Sequence, residues 1–171
     1  MLALAFADRN NHWMTYVTTP VEVGAVLWAV SHWQVLPLSA RILQTAIPGS
    51  WVGWILMVLF VENVRTFSLV AQPVLGLFVM GAAIWTLVSR TAREGGPLRN
   101  QDWLWISMGV AIYFGGAVAL PPASYLLVPK SPALVVRAYE VRGALNILAF
   151  LLIARGVLCP KPKPLGSLRP A

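Results

Sequence analysis

Charge and cysteine are both scarce in this sequence. Only 11% of the 171 residues are charged, whereas soluble domains usually carry about 25%. Because 58% of the residues are hydrophobic, this composition excludes an ordinary soluble fold. The single cysteine, Cys159, excludes an internal disulfide and a metal cluster built on cysteine ligands. We therefore expect a membrane protein without a metal site.

Motifs of the common enzyme classes are also missing. The chain contains no G-x-S-x-G, H-E-x-x-H, P-loop or G-x-G-x-x-G pattern. Its two histidines, His12 and His32, are predicted at opposite membrane surfaces, so they are not expected to ligate one haem. We predict a non-enzymatic protein with no catalytic residues and no cofactor.

Five apolar segments, separated by polar or proline-rich breaks, predict an all-α integral membrane bundle. The predicted transmembrane helices cover residues 20–36, 39–61, 67–89, 103–120 and 132–158. They form one membrane-embedded helical domain over residues 1–159, and a basic, proline-rich cytoplasmic tail follows at residues 160–171.

Proline and capping signals predict where several helices begin, bend or end. Thr19-Pro20-Val21-Glu22 fits a capping box, which would start the first helix at Pro20. Pro48-Gly49-Ser50 predicts either a kinked second helix or a re-entrant piece followed by a short span. Pro73 is expected to bend the third helix, and Pro121-Pro122 to end the fourth.

The distribution of Lys and Arg predicts the orientation of the chain in the membrane. The net charge is +7 and is spread over loops and tail, which is typical of membrane topology rather than of a nucleic-acid-binding surface. With five spans and a cytoplasmic C-terminus, basic residues concentrate on the inner side. We therefore predict the N-terminus outside and the C-terminus inside a bacterial inner membrane, with the lipid bilayer and no nucleic acid as partner.

This topology places ionisable side chains in the outer half of the bundle. They are Glu22, Glu62, Arg65, Arg137, Glu140 and Arg142. One interpretation is a polar pocket for a ligand or a partner. The other is that these side chains snorkel to the interface or pair locally to fix helix packing. The i, i+3 spacing of Glu62–Arg65 and of Arg137–Glu140 favours local pairs.

The last two predicted helices carry small and polar residues that are suited to helix packing. In the fifth helix an apolar stripe that includes Leu134, Val141 and Leu148 should face lipid, with a smaller, more polar side opposite. Small residues allow helix backbones to approach closely. The residues predicted to serve packing are Gly109, Gly115, Gly116, Gly143 and Asn146.

Three segments between residues 62 and 159 resemble a loose group of uncharacterised multi-pass bacterial membrane proteins. The segments are ENVRTFSLVAQPVLGLF, QDWLWISMGVAIYFGG and RGALNILAFLLIARGVLCP. The matching positions are Trp105, Gly109, Ile112, Tyr113 and Phe114 in the fourth helix, and Leu145, Asn146, Ile147, Leu148, Gly156, Leu158 and Cys159 in the fifth. That group is similar to membrane-embedded sensory regions placed ahead of bacterial histidine kinases. The resemblance implies a signal passed to a separate partner, and it supplies no catalytic residues.

The sequence thus favours a non-enzymatic sensory or accessory subunit that acts through helix–helix contacts. Its expected partner is another membrane protein or a second copy of the chain. The glycine-bearing fourth helix and the polar side of the fifth are the predicted contact surfaces. A small-solute or proton transporter working as an oligomer is the alternative.

Overall fold

A computed structural model describes residues 12–62, 68, 70–93, 98–127 and 131–159. The helices are α1 (His12–His32), α2 (Pro37–Phe60), α3 (Ala71–Thr91), α4 (Asp102–Leu127) and α5 (Pro132–Val157), with a 3-10 turn at Leu98–Asn100. Three segments are long and apolar enough to cross a membrane: α2, α3 and the Asp102–Leu120 part of α4. The prediction of an all-α helical bundle is confirmed, and its composition is that of a membrane protein.

Helices that follow one another in the chain also pack together. α5 packs mainly on α4, α4 on α3, and α1 contacts α2, α3 and α4. The core lies chiefly between α1 and α3 and consists of apolar side chains that are almost fully buried, such as Val23, Leu27, Val30, Val79 and Ala83. As a result α2 and α5 lie at the edges of the bundle.

The first helix begins before the predicted position, because Pro20 lies inside it. α1 is already helical at His12 and runs through this proline, so the predicted capping box does not form. Proline lacks an N–H and leaves the carbonyl four residues earlier, that of Tyr16, without its helical donor. The indole Nε1 of Trp54 donates to this carbonyl at 3.1 Å. A side chain of α2 therefore replaces the missing backbone hydrogen bond.

The other prolines also interrupt their helices less than predicted. α2 continues through Pro48 as one helix of 24 residues, so the predicted break at Pro48-Gly49-Ser50 does not occur. Pro73 falls in the first turn of α3, which begins at Ala71, and N–H groups there have no helical partner to lose. α4 continues past Pro121 and Pro122, against prediction, since each proline removes only its own hydrogen bond and apolar helices tolerate that loss.

Glycines allow α4 and α5 to approach each other very closely. A Cβ atom placed on Gly109 would lie 2.6 Å from the carbonyl oxygen of Ala149, and one on Gly156 would lie 2.9 Å from that of Asp102. Both distances are shorter than any normal carbon–oxygen contact. Any larger residue at either position would force the two helices apart.

Candidate functional site

Glu62 caps the start of α3 rather than facing a ligand pocket. Its Oε1 accepts hydrogen bonds from the backbone N–H of Val70 at 2.7 Å and of Ala71 at 3.0 Å, and from the Ser68 hydroxyl at 3.2 Å. The Tyr16 hydroxyl lies beside the same carboxylate and hydrogen-bonds to it. A carboxylate at a helix N-terminus satisfies unpaired N–H groups and complements the helix dipole. The role of Glu62 in the structure is therefore to hold α3 against α1.

The remaining charged residues of the predicted cluster do not converge on one point. Arg65, the expected partner of Glu62, lies outside the described residues. Arg137 and Glu140 are both exposed on α5, and no ion pair joins these two side chains. The i, i+3 spacing of Arg137 and Glu140 therefore does not produce the predicted ion pair.

Arg142 lies in a groove between α4 and α5. The groove has a volume of about 340 Å³, is largely apolar and is also lined by Arg137. The side chain of Arg142 runs past Gly116, where a Cβ atom would lie 3.9 Å from the arginine Cγ. That distance is an ordinary van der Waals contact, so Gly116 and the arginine stem are neighbours in this groove.

Glu22 lies in a second groove, which is formed by α1, α4 and α5 and has a volume of about 300 Å³. Three aromatic rings line it beside the carboxyl group, those of Tyr113, Phe114 and Phe150. The ring centroid of Tyr113 is 5.2 Å from that of Phe114 and 5.6 Å from that of Phe150. A carboxyl group and a contiguous aromatic surface therefore share one groove.

Tyr113 lines the groove that holds Glu22 and lies within electrostatic range of both Glu22 and Arg142. The structure thus brings these two members of the predicted cluster to the same level of the bundle. Glu62, by contrast, caps the start of α3 and lines neither of the two grooves.

The residues predicted to serve packing lie in different places. Gly109 contacts α5, and Gly115 faces Met80 of α3, whose sulfur would be 3.4 Å from an added Cβ atom. Asn146 is half-buried, and its Oδ1 receives no hydrogen bond from the described part of the chain. Gly143 is on the exposed side of α5, with no atom within 4 Å of an added Cβ position. The contact glycines of α4 are therefore used inside the chain and do not form a free surface.

Polar contacts join α1 to α3 at the opposite end of the bundle. The amide of Gln34 donates to the Thr86 hydroxyl at 2.6 Å. The Arg90 side chain donates to the carbonyl of Trp33 and lies 5.6 Å from the ring centroid of Trp103. These contacts fix the geometry of this end of the bundle.

The outer face of α2 is a surface that the sequence reasoning missed. Gly49 and Gly53 lie one helical turn apart, and a Cβ atom on either would meet no atom within 4 Å. They share this face with exposed apolar side chains such as Ile42, Val52 and Leu56. The signal was present as G-x-x-x-G in an apolar helix, a pattern typical of transmembrane helix association.

Comparison with known proteins adds no relative to this picture, since no family model, curated protein or solved structure matches the chain. In the part of the chain that is described, no group of three or more His, Cys, Asp or Glu side chains could hold a metal ion. The function is therefore argued from the geometry of the grooves and of α2.

Proposed function

We propose that this protein is a non-enzymatic, multi-pass protein of the bacterial inner membrane that serves as a sensory or accessory subunit. It acts by helix–helix contact, with the outer face of α2 binding a transmembrane helix of a partner membrane protein. The basis for the sensory role is the resemblance of three segments between residues 62 and 159 to a group of multi-pass bacterial membrane proteins, which is itself similar to sensory membrane regions. The observation that carries the proposal is the pair of open glycines, Gly49 and Gly53, on α2, the least buried of the three helical segments that are apolar enough to span a membrane.

Five membrane crossings are part of this proposal. α2, α3 and α4 have the length and composition of spans. α1 has 21 residues and α5 has 26, which correspond to about 31 Å and 39 Å at 1.5 Å per residue. Both lengths cover a hydrocarbon core of about 30 Å. The bias of Lys and Arg then supports an outer N-terminus and an inner C-terminus.

Exposure of α2 supports a protein partner at this helix. Only 17% of its most apolar window is buried, compared with 44% in α3. Lipid chains cover aliphatic side chains well, but they gain little from an exposed glycine, whereas a second helix can bring its backbone against it. Gly49 and Gly53 leave a shallow depression over one turn of α2, against which the backbone of a second helix would pack.

In the alternative function, that of a transporter, the outer face of α2 would have a different role. In that case α2 would join copies of this chain, and the Glu22 groove would lie on the route of a solute or proton. Glu140 is a poor candidate for such a route because it does not line the groove that holds Glu22.

The test is to replace Gly49 and Gly53 by isoleucine in the full-length, tagged protein. Isoleucine fits at both positions within the chain, because nothing lies within 4 Å, but it would hold a partner helix away. We expect the amount of co-purified membrane partner to fall about tenfold, equivalent to about 1.4 kcal/mol. Gly143→Ile, the same change at an open glycine of α5, should leave the partner bound. Equal recovery of the partner with the double variant would contradict the proposal.

A further inference from the structure

Glu22 occupies the middle of α1. It is ten residues from His12 in a helix of 21 residues, about 15 Å from the first residue by the helical rise. In the five-span arrangement it lies near the centre of the bilayer. An ionised carboxylate at that depth is costly unless another group compensates it, and acidic residues there usually mark binding sites or ion pathways.

No described cation neutralises Glu22. No ion pair with a Lys, Arg or His side chain is formed by its carboxylate. Arg142 lines the separate groove between α4 and α5. Glu22 is exposed where it lines its groove, so its carboxyl group is accessible to a group from outside the described chain.

The walls around Glu22 have the chemistry of an organic-cation site. Tyr113 forms edge-to-face contact with Phe114, at an interplanar angle of 87°, and packs against Phe150 at 5.6 Å. Aromatic faces attract cations that have lost their water, and a carboxylate supplies the opposite charge. The volume of about 300 Å³ is at the lower end of the range for small-molecule sites.

We infer that this groove binds a monovalent organic cation with an aromatic or alkyl body. Glu22 holds the charge, and Tyr113, Phe114 and Phe150 pack against the body. One carboxyl group favours a single positive charge, and the largely apolar walls exclude a small, strongly hydrated ion. The inference rests on the membrane placement of α1 in the proposed function but is independent of any partner at α2.

An acyl chain of a lipid is the competing occupant, since it would fill an apolar groove without using Glu22. The two occupants differ in their requirement for charge. A cation needs the carboxylate and is favoured over an anion of the same shape, whereas an acyl chain leaves both the carboxylate and the aromatic faces without a specific role.

The experiment is equilibrium dialysis of the full-length protein in detergent micelles with tetraphenylphosphonium, a permanently charged aromatic cation. Tetraphenylborate, an anion of nearly the same shape, is the matched control ligand. We expect saturable binding of one phosphonium per chain and no binding of the borate. Glu22→Gln should weaken the binding about tenfold or more, while Glu140→Gln, at an exposed carboxylate on α5, should not change it.

A second variant separates loss of the site from loss of the fold. Phe150 is 58% exposed, so Phe150→Leu should preserve the elution profile and weaken phosphonium binding about threefold through the lost ring. Undiminished binding to Glu22→Gln, equal binding of the borate, or no binding to the unmodified protein would each overturn the inference. None of these results bears on partner capture through Gly49 and Gly53, so the two proposals fail separately.

Discussion

At the scale of single residues, the prolines explain most differences between the predicted and the observed helices. From the neighbouring residues alone, Pro20 was predicted to start a helix, because proline lacks an N–H and is suited to the first helical turn. The compensating donor, Trp54, is 34 positions further along the chain, so no local pattern could reveal it. Likewise, the role of Glu62 depends on backbone N–H groups of Val70 and Ala71. The sequence thus identified the residues that affect helix ends, but it could not identify the groups with which they form hydrogen bonds.

The Trp54–Tyr16 hydrogen bond predicts a measurable coupling with Pro20. Trp54→Phe should lower the free energy of unfolding by about 1–2 kcal/mol, because the Tyr16 carbonyl loses its donor. Pro20→Ala restores a backbone N–H at that carbonyl, so the same Trp54 change should cost about 1 kcal/mol less in this background. Thermal unfolding of the four proteins in one detergent gives the coupling.

Trp51 provides the control for this cycle. Its indole Nε1 donates to the carbonyl of Pro20 at 3.0 Å, an acceptor that keeps its own helical hydrogen bond. Trp51→Phe should therefore cost less than Trp54→Phe. Strictly additive effects of Pro20→Ala and Trp54→Phe would show that the indole does not replace the missing backbone donor.

At the scale of helices, the bounds of α2 and α5 were predicted within two residues, whereas the packing faces were predicted only in part. The fifth predicted helix, 132–158, differs by one residue from the observed Pro132–Val157. The face of α5 that packs on α4 includes Ala149 and Gly156, both buried, while Gly143 is exposed. The predicted stripe of Leu134, Val141 and Leu148 is exposed, but glycine and alanine occur on several sides of α5, so the sequence could not decide which side meets α4.

The close contact between α4 and α5 predicts opposite results for two Gly→Ala changes. Gly109→Ala places a methyl group 2.6 Å from the Ala149 carbonyl oxygen and should destabilise the protein by about 1–3 kcal/mol through overpacking. Gly143→Ala meets no atom and should be neutral or stabilising by up to about 1 kcal/mol, because alanine favours helix. Unfolding midpoints in detergent report both. A midpoint that falls equally for the two variants would contradict the close contact.

At the scale of the whole molecule, the helices of the bundle are buried to different extents. α1, α3 and α4 bury one another, while α2 and α5 remain at the edges with large apolar faces exposed. Composition predicted a membrane bundle. It could not show which helices lie at an edge of the bundle, because that depends on packing between segments that are far apart in the chain. The edge position of α2 leaves the Gly49–Gly53 face uncovered by the described chain, and this is where the proposed partner helix would bind.

The most direct test of the proposed function is the composition of the complex that the tagged protein forms in its native membrane. The measurement is native mass spectrometry after purification in a mild detergent. We predict one different membrane protein at a fixed stoichiometry, lost on substitution of Gly49 and Gly53. Recovery of the chain alone, or only with copies of itself, would contradict the role of an accessory subunit and favour the oligomeric transporter.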